Sequence, residues 1–289
     1  MTITYDLIKR TTAQLYDWSL RQVPDDTLQA LAKAETLESQ PVARTTLRIM
    51  QDSAHQAHQQ QHFVCSDSGV PVYFVEIGTR AGLPSQFRAA IEAGWHDLVT
   101  TIQPPLLTHV TNPLTNARSY HGKGMPMVSY DLIDDADYID ITCSPKALGS
   151  GRWEALETFS FPTLETIERY VLDTVIRAGS QPCPPVVIGV GIGGSFDVAA
   201  KLSKKATLRP IGSTNPDPAL ADLEARLLHA INQLGFGPMG TGGDSTAMAV
   251  HVADSAGHGY TPVAVSFNCW INRRTKVRIH NDGSVERLA

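Results

Sequence analysis

In residues 181–201, QPCPPVVIGVGIGGSFDVAAK, a cysteine, an apolar run, a glycine turn and a helix start follow one another, and no other stretch limits the fold as much. Residues 186–190 are rich in β-branched side chains behind two prolines, the pattern of a buried strand. Residues 191–195 supply the turn, and Phe196, Val198, Ala199 and Leu202 recur at helical spacing. The turn therefore opens a helix, whose free N–H groups and dipole attract anions, so an acidic substrate or a phosphate is expected there. The plainer alternative is a βα turn whose glycines only allow close packing. Cys183, just before the strand, favours the chemical reading.

Around this unit the pattern predicts an α/β fold, with mixed sheets flanked by helices in layers and an N-terminal helical segment. Residues 1–60 are expected to form that helical segment, packed on a main domain of residues 61–289. Its three helices are expected over 4–20, from Asp25 or Asp26 onward, and over 41–60. His55, His58 and His62 fall on one helical face, but with no carboxylate or cysteine among them they read as a solvated polar face. Cys65-x-Asp67-x-Gly69 leads into an alternating strand through Val70, Val72, Phe74 and Glu76. That corner needs a partner, unless Asp67 merely bonds backbone N–H groups in a turn.

A helix is expected over 85–100, followed by a long loop, residues 104–126, that offers His109, Arg118, His121 and Lys123. Residues 127–132 and 138–143 read as a strand pair across a polar turn, and residues 144–152 as a second glycine and serine loop beside Lys146. Helices are expected over 163–178, capped by Thr163, and over 219–234, capped by Asp217. A third glycine loop, residues 235–246, opens an apolar stretch containing His251. The chain closes with a strand over 263–267, then Cys269 and a basic hairpin turning at Asn281-Asp282-Gly283.

The net charge of −5 and the lack of a basic stripe give no footprint for nucleic acid. No window approaches the roughly 20 apolar residues of a membrane span, and residues 1–10 lack the apolar core of a signal peptide, so a cytoplasmic protein is expected. Cys65, Cys143, Cys183 and Cys269 are too dispersed for a local zinc or ferredoxin pattern. Their default role in a reducing compartment is that of buried thiols.

Three of these cysteines abut a strand end or a glycine turn, and the ordered set of motifs resembles the alpha subunit, or catalytic domain, of the class I fumarase and L-tartrate dehydratase family of iron–sulfur hydro-lyases. CSDSG at Cys65, CPPVVIGVGIGG at Cys183 and VSFNCWINRR around Cys269 carry the resemblance, with NPLTNARSYHGKGMP, ATLRPIGSTNPDP and GPMGTGGDST. It implies that Cys65, Cys183 and Cys269 bind a [4Fe-4S] cluster with one iron not ligated by cysteine, a Lewis acid for a substrate hydroxyl and carboxylate. Cys143 matches no ligand position and is expected to be structural. The resemblance further implies that Asp67 and His258 line the site, with His251 a second candidate, and that Gly193 and Gly194 give N–H donors to cluster or substrate. Arg118, Lys123, Lys146, Gly149 and Ser150 are the expected contacts to a small 2-hydroxy dicarboxylate, which is reversibly dehydrated. A beta subunit, in an α2β2 heteromer, is the implied partner.

Two departures bear on substrate choice. Ser66 stands where the family has glutamine, and Ala147-Leu148 replace two glycines of the Pro-Lys-Gly-Gly-Gly-Ser loop. Leu148 at a pocket wall would suit a larger or methyl-branched acid. The rival readings are a catalytically altered iron–sulfur subunit of a heteromeric complex and a nicotinamide-binding Rossmann enzyme. Residues 189–194 satisfy G-x-G-x-x-G, but where that fingerprint needs an acidic strand end the chain reads RPIGST.

Overall fold

The computed structural model describes residues 2–108 and 110–288. The chain begins with α1 (Tyr5–Arg21), α2 (Asp25–Leu37), α3 (Pro41–Gln59), β1 (Val72–Gly78) and α4 (Phe87–Thr101). There follow β2 (Val110–Thr111), β3 (Arg118–Ser119), β4 (Met127–Ile133), β5 (Tyr138–Cys143), the short α5 (Leu148–Gly151) and β6 (Ala155–Ser160). Then come α6 (Leu164–Ala178), β7 (Val186–Gly193), α7 (Phe196–Ala206), α8 (Pro218–Asn232), β8 (Ala247–Ser255), β9 (Tyr260–Asn268), β10 (Thr275–His280) and β11 (Val285–Arg287). The fold is α/β with mixed sheets and a helical N-terminal segment, as the pattern predicts.

Helix starts follow local chemistry. Thr4 Oγ1 accepts from Leu7 N at 3.1 Å, Thr163 Oγ1 from Thr166 N at 3.2 Å, and Asp217 Oδ1 from Ala219 N at 2.8 Å. Each such cap contributes about 1 kcal/mol.

The chain divides into two compact units, one of Met1–Pro24, Gln56–Ala147 and Arg273–Ala289, the other of Asp25–His55 and Leu148–Asn272. In the first, the sheet order is β11-β10-β5-β1-β4, with only β1 and β4 parallel. Helices α1 and α4 pack on each other, and α1 also meets β5 and β10. Ile8, Leu15, Ile91, Ile139, Ile141, Val277 and Ile279 are wholly buried there, each worth about 1.5–3 kcal/mol.

The expected pairing of residues 127–132 with 138–143 is corrected. Both segments are strands, but β1 lies between them, parallel to β4 and antiparallel to β5. The reason lies at Gly78, where a Cβ would come within 2.3 Å of Ala136 O. Without one, the polar turn wraps the end of β1, with Arg80 N donating to Ala136 O and Asp135 N to Thr79 Oγ1.

In the second unit the sheet order is β6-β9-β7-β8, with β7 parallel to β8 and antiparallel to β9. Helix α7 packs on β7 and β9, α8 on β8, and α6 on α8 and β9. Strand β8 is an edge closed at both ends by side chains. Asn232 takes the N–H and C=O of Ala247, while Glu224 and Asn215 take those of Val252.

Candidate active site

Strand β7 runs through Gly193, three residues beyond the expected strand end, and its glycines serve packing. A Cβ on Gly191 would lie 2.1 Å from Ala199 O, so α7 rests directly on the strand. The G-x-G-x-x-G match is thus largely a strand beneath a helix, and not a phosphate loop.

The start of α7, where an anion is expected, carries a carboxylate of the chain itself. Ser195 Oγ donates to Asp197 Oδ1 at 2.6 Å, and this bond, with the N–H groups of Asp197 and Val198, lowers the Asp197 pKa. A carboxylate of the chain already occupies the helix N-terminus.

Cys183 and Cys269 are brought to one end of the second unit's sheet. Because β7 and β9 are antiparallel with Val187 opposite Asn268, the residue after β9 returns to the residues before β7. Trp270 N donates to Cys183 O at 3.1 Å. Cys183 takes a left-handed backbone, φ 58°, and its N–H bonds Ser180 O. The third glycine loop docks on the same corner through Met239 N to Pro184 O at 2.7 Å and Val186 N to Thr246 O at 3.0 Å. Behind it, both carboxylate oxygens of buried Glu38 accept from Asp244 N, and Asp244 Oδ2 accepts from Ser39 N. A Cβ on Gly149, in α5, would lie 3.9 Å from Gln181 O, and Ser150 beside it is buried.

Gly193, Gly194 and His258 are not part of this corner. Seven strand steps separate Val186 from Gly193, about 23 Å. The Gly194 N–H is spent on Ser255 O, and exposed His258 lies between β8 and β9 at that far end, stacked on Tyr260. His251 sits midway along β8 opposite Gly189, buried, with Nδ1 3.1 Å from Ala206 O. It lines a cleft of about 730 Å³ between α2, α8 and β8 that the sequence did not announce.

In the first unit, Cys65 is half-buried and its loop is pinned on several sides. Asp67 Oδ1 accepts from Gly69 N at 3.0 Å, the turn bond that the plainer reading of this corner foresees. Tyr16 donates to Gly69 O at 2.8 Å, Arg273 Nη2 donates to Asp67 O at 2.9 Å, and Val70 exchanges backbone bonds with Lys146. Burial raises the Tyr16 phenol pKa, while the Arg273 charge pulls it down. Lys146 is therefore beside the Cys65 loop, whereas Arg118 and Lys123 are exposed on β3 and the following turn. His109 and the Leu148 side chain lie outside what is described.

The four thiols fall into two kinds. Cys143 is wholly buried in the core, and burial pushes its thiol up to about 12. Cys65, Cys183 and Cys269 are partly exposed thiols outside any disulfide, a set of soft donors that fits iron. Among the described residues no three His, Cys, Asp or Glu side chains form a ready metal cage.

A sequence profile of the family described as Fumarate hydratase (Fumerase) matches residues 9–278. The chain belongs to that family. It is 35% identical over 284 residues to the "Putative L(+)-tartrate dehydratase subunit alpha" of Methanocaldococcus jannaschii, covering 96% of this chain and 99% of that one. It is 32% identical over 274 residues to the L(+)-tartrate dehydratase subunit alpha of Escherichia coli, covering 93% of this chain and 89% of that one. Membership of the fumarate hydratase family makes the chain a hydro-lyase, a carbon–oxygen lyase that adds or removes water. No helix among the described residues is long and apolar enough to cross a membrane.

Proposed function

We propose that this chain is the alpha subunit of a cytoplasmic, two-subunit hydro-lyase of fumarate or tartrate type. The reading assigns Cys65, Cys183 and Cys269 as thiolate ligands of a [4Fe-4S] cluster. With one iron free of cysteine, such a cluster supplies a Lewis acid for a hydroxyl leaving group. The observation that carries the reading is the division of the cysteines. The three partly exposed thiols are those in the family motifs, and the sealed one is not.

The chain's own groups hold and orient. Asp67 fixes its loop by accepting from Gly69 N–H and places its carboxyl group two residues from Cys65. Lys146, joined through its backbone to the same loop, offers a cation to a substrate carboxylate. Gly149 and Ser150 belong to the Cys183 side, and the exposed Arg118 and Lys123 are further candidate cations. A beta subunit, in an α2β2 assembly, would bring the remaining groups, as the relatives' subunit names suggest.

The test is co-production with a beta subunit of the same family, anaerobic loading with iron and sulfide, and a screen of malate, tartrate and a methyl-branched 2-hydroxy dicarboxylate. Formation or loss of the unsaturated acid is read in the ultraviolet. Turnover of one of them, dependent on both iron and the beta subunit, is expected. Full iron loading with no turnover of any of the three would move the chain to the catalytically altered reading, and turnover by iron-free enzyme would refute the assignment.

A further inference from the structure

Arg273 is buried, only 4% exposed, and is held once through its side chain and once through its main chain. Its Nη2 donates to Asp67 O at 2.9 Å, and its main-chain oxygen accepts from Ser144 Oγ at 3.1 Å. Its Nη1, bonded to the same carbon as Nη2, is buried with no hydrogen-bond partner. No Asp or Glu among the described residues pairs with it. Arginine carries its charge at any working pH, and a buried, unpaired charge is among the least tolerated features of a folded chain. Such a group calls for an anion.

The position narrows the anion. Asp67 is two residues from Cys65, and Lys146 is bonded through its backbone to the same loop. The spare Nη1 offers a charge-assisted N–H to an oxyanion, and a carboxylate is the oxyanion that the hydro-lyase reading supplies. We propose that Arg273 is a substrate-binding residue of the first unit that receives one carboxylate of the 2-hydroxy dicarboxylate on Nη1 while Nη2 keeps the Cys65 loop in place. This rests on the hydro-lyase reading and names a contact within it. The basic pair beside the last cysteine was the only sequence signal.

Arg273→Gln and Arg273→Lys separate the possibilities. In the iron-loaded complex with the beta subunit, Arg273→Lys is expected to keep its iron and sulfide and raise KM about 10- to 100-fold, the range for losing a hydrogen bond to a charged group, with a smaller change in kcat. For the chain alone, rising tartrate or malate should lift the thermal midpoint of the native protein and not of Arg273→Gln. Equal lifting by sulfate and acetate would show general anion binding and overturn the assignment. An unchanged KM, or loss of iron in Arg273→Lys, would do the same, the second result making the residue a support of the cluster loop. If Arg273→Gln fails to fold, Arg273→Lys decides alone. If the native complex binds no iron or is inactive, the hydro-lyase reading fails, while the midpoint series still judges Arg273.

Discussion

At the start of β7, Cys183 takes a left-handed backbone, its carbonyl holds Trp270 next to Cys269, and the third glycine loop closes on Pro184. At the far end of the same strand, Gly193 and Gly194 lie against Ser255, Asp197 fills the start of α7, and His258 stacks on Tyr260 in solvent. The first end leaves two thiols partly exposed, and the second leaves its helix dipole and the Gly194 N–H already satisfied. A glycine-rich turn looks like a ligand site in sequence because donors are free there in principle. Whether they stay free depends on what the neighbouring strand and the next carboxylate do with them.

The comparison can be broken from either side. The largest effect is expected at Gly191, where valine would press on Ala199 O from 2.1 Å or less. Overpacking against backbone should cost about 3 kcal/mol and lower the melting temperature by roughly 10 °C, with iron per folded chain unchanged. Iron loss out of proportion to unfolding would mean that the packing end also serves the cysteines.

Next in size is Glu224, whose carboxylate holds Arg209 bidentately and caps Val252 N on the far half of β8. Burial pushes its pKa up, but the bonds from Arg209, Val252 N and Asn215 outweigh this and lower it on balance. A carboxyl with a depressed folded pKa stabilises the fold above its unfolded value of about 4.3, and that stability is lost as pH falls through the folded value. Glu224→Gln should therefore cost about 2 kcal/mol near neutrality, the range for hydrogen bonds to a charged group, a deficit that shrinks towards low pH in denaturant melts. The other end of β8 is closed by the neutral Asn232, and Asn232→Ala, which adds no titrating group, should give a deficit that does not vary with pH.

A smaller stability change, with a larger chemical one, is expected at Gly237, in the loop on the cysteine side. Its φ is 67°, and a Cβ would lie 1.7 Å from Gly242 O. Gly237→Ala should cost about 1–2 kcal/mol and reduce iron retention after gel filtration; full retention would detach this loop from the site. The smallest effect is reserved for His258→Ala, within about 0.5 kcal/mol at an exposed position and without loss of iron. A fall in turnover beyond about tenfold, typical of a lost acid–base group, would return the far end to the active site.

Much of the fold was legible because its signals are local. Thr163 and Asp217 cap where they stand, and Asn281-Asp282-Gly283 turns the last hairpin, with Gly283 at φ 84°. What was not legible depends on distant neighbours. β4 and β5 read as a hairpin because nothing nearby reveals that Gly78 admits the turn around β1. β6 escaped notice because ALETFS, an edge strand with exposed Glu157 and Thr158, shows no clean alternation. In the candidate site, the convergence of Cys183, Cys269 and the third glycine loop on one corner follows from motifs visible in the sequence. The distance of His258 and Gly193 from Cys183 could not be read, since distance along a strand is invisible until the direction of β7 against β9 is known. Arg273 and Glu38 went unnoticed because burial and partners, not residue type, distinguish them.

The most direct measurement is iron and acid-labile sulfide per chain after anaerobic reconstitution of the native protein and of Cys65→Ser, Cys143→Ser, Cys183→Ser and Cys269→Ser. Four irons and four sulfides in the native chain and in Cys143→Ser, with collapse in the other three, is the predicted result. No cluster in the native chain, or equal loss in all four variants, would contradict the assignment of the three partly exposed thiols.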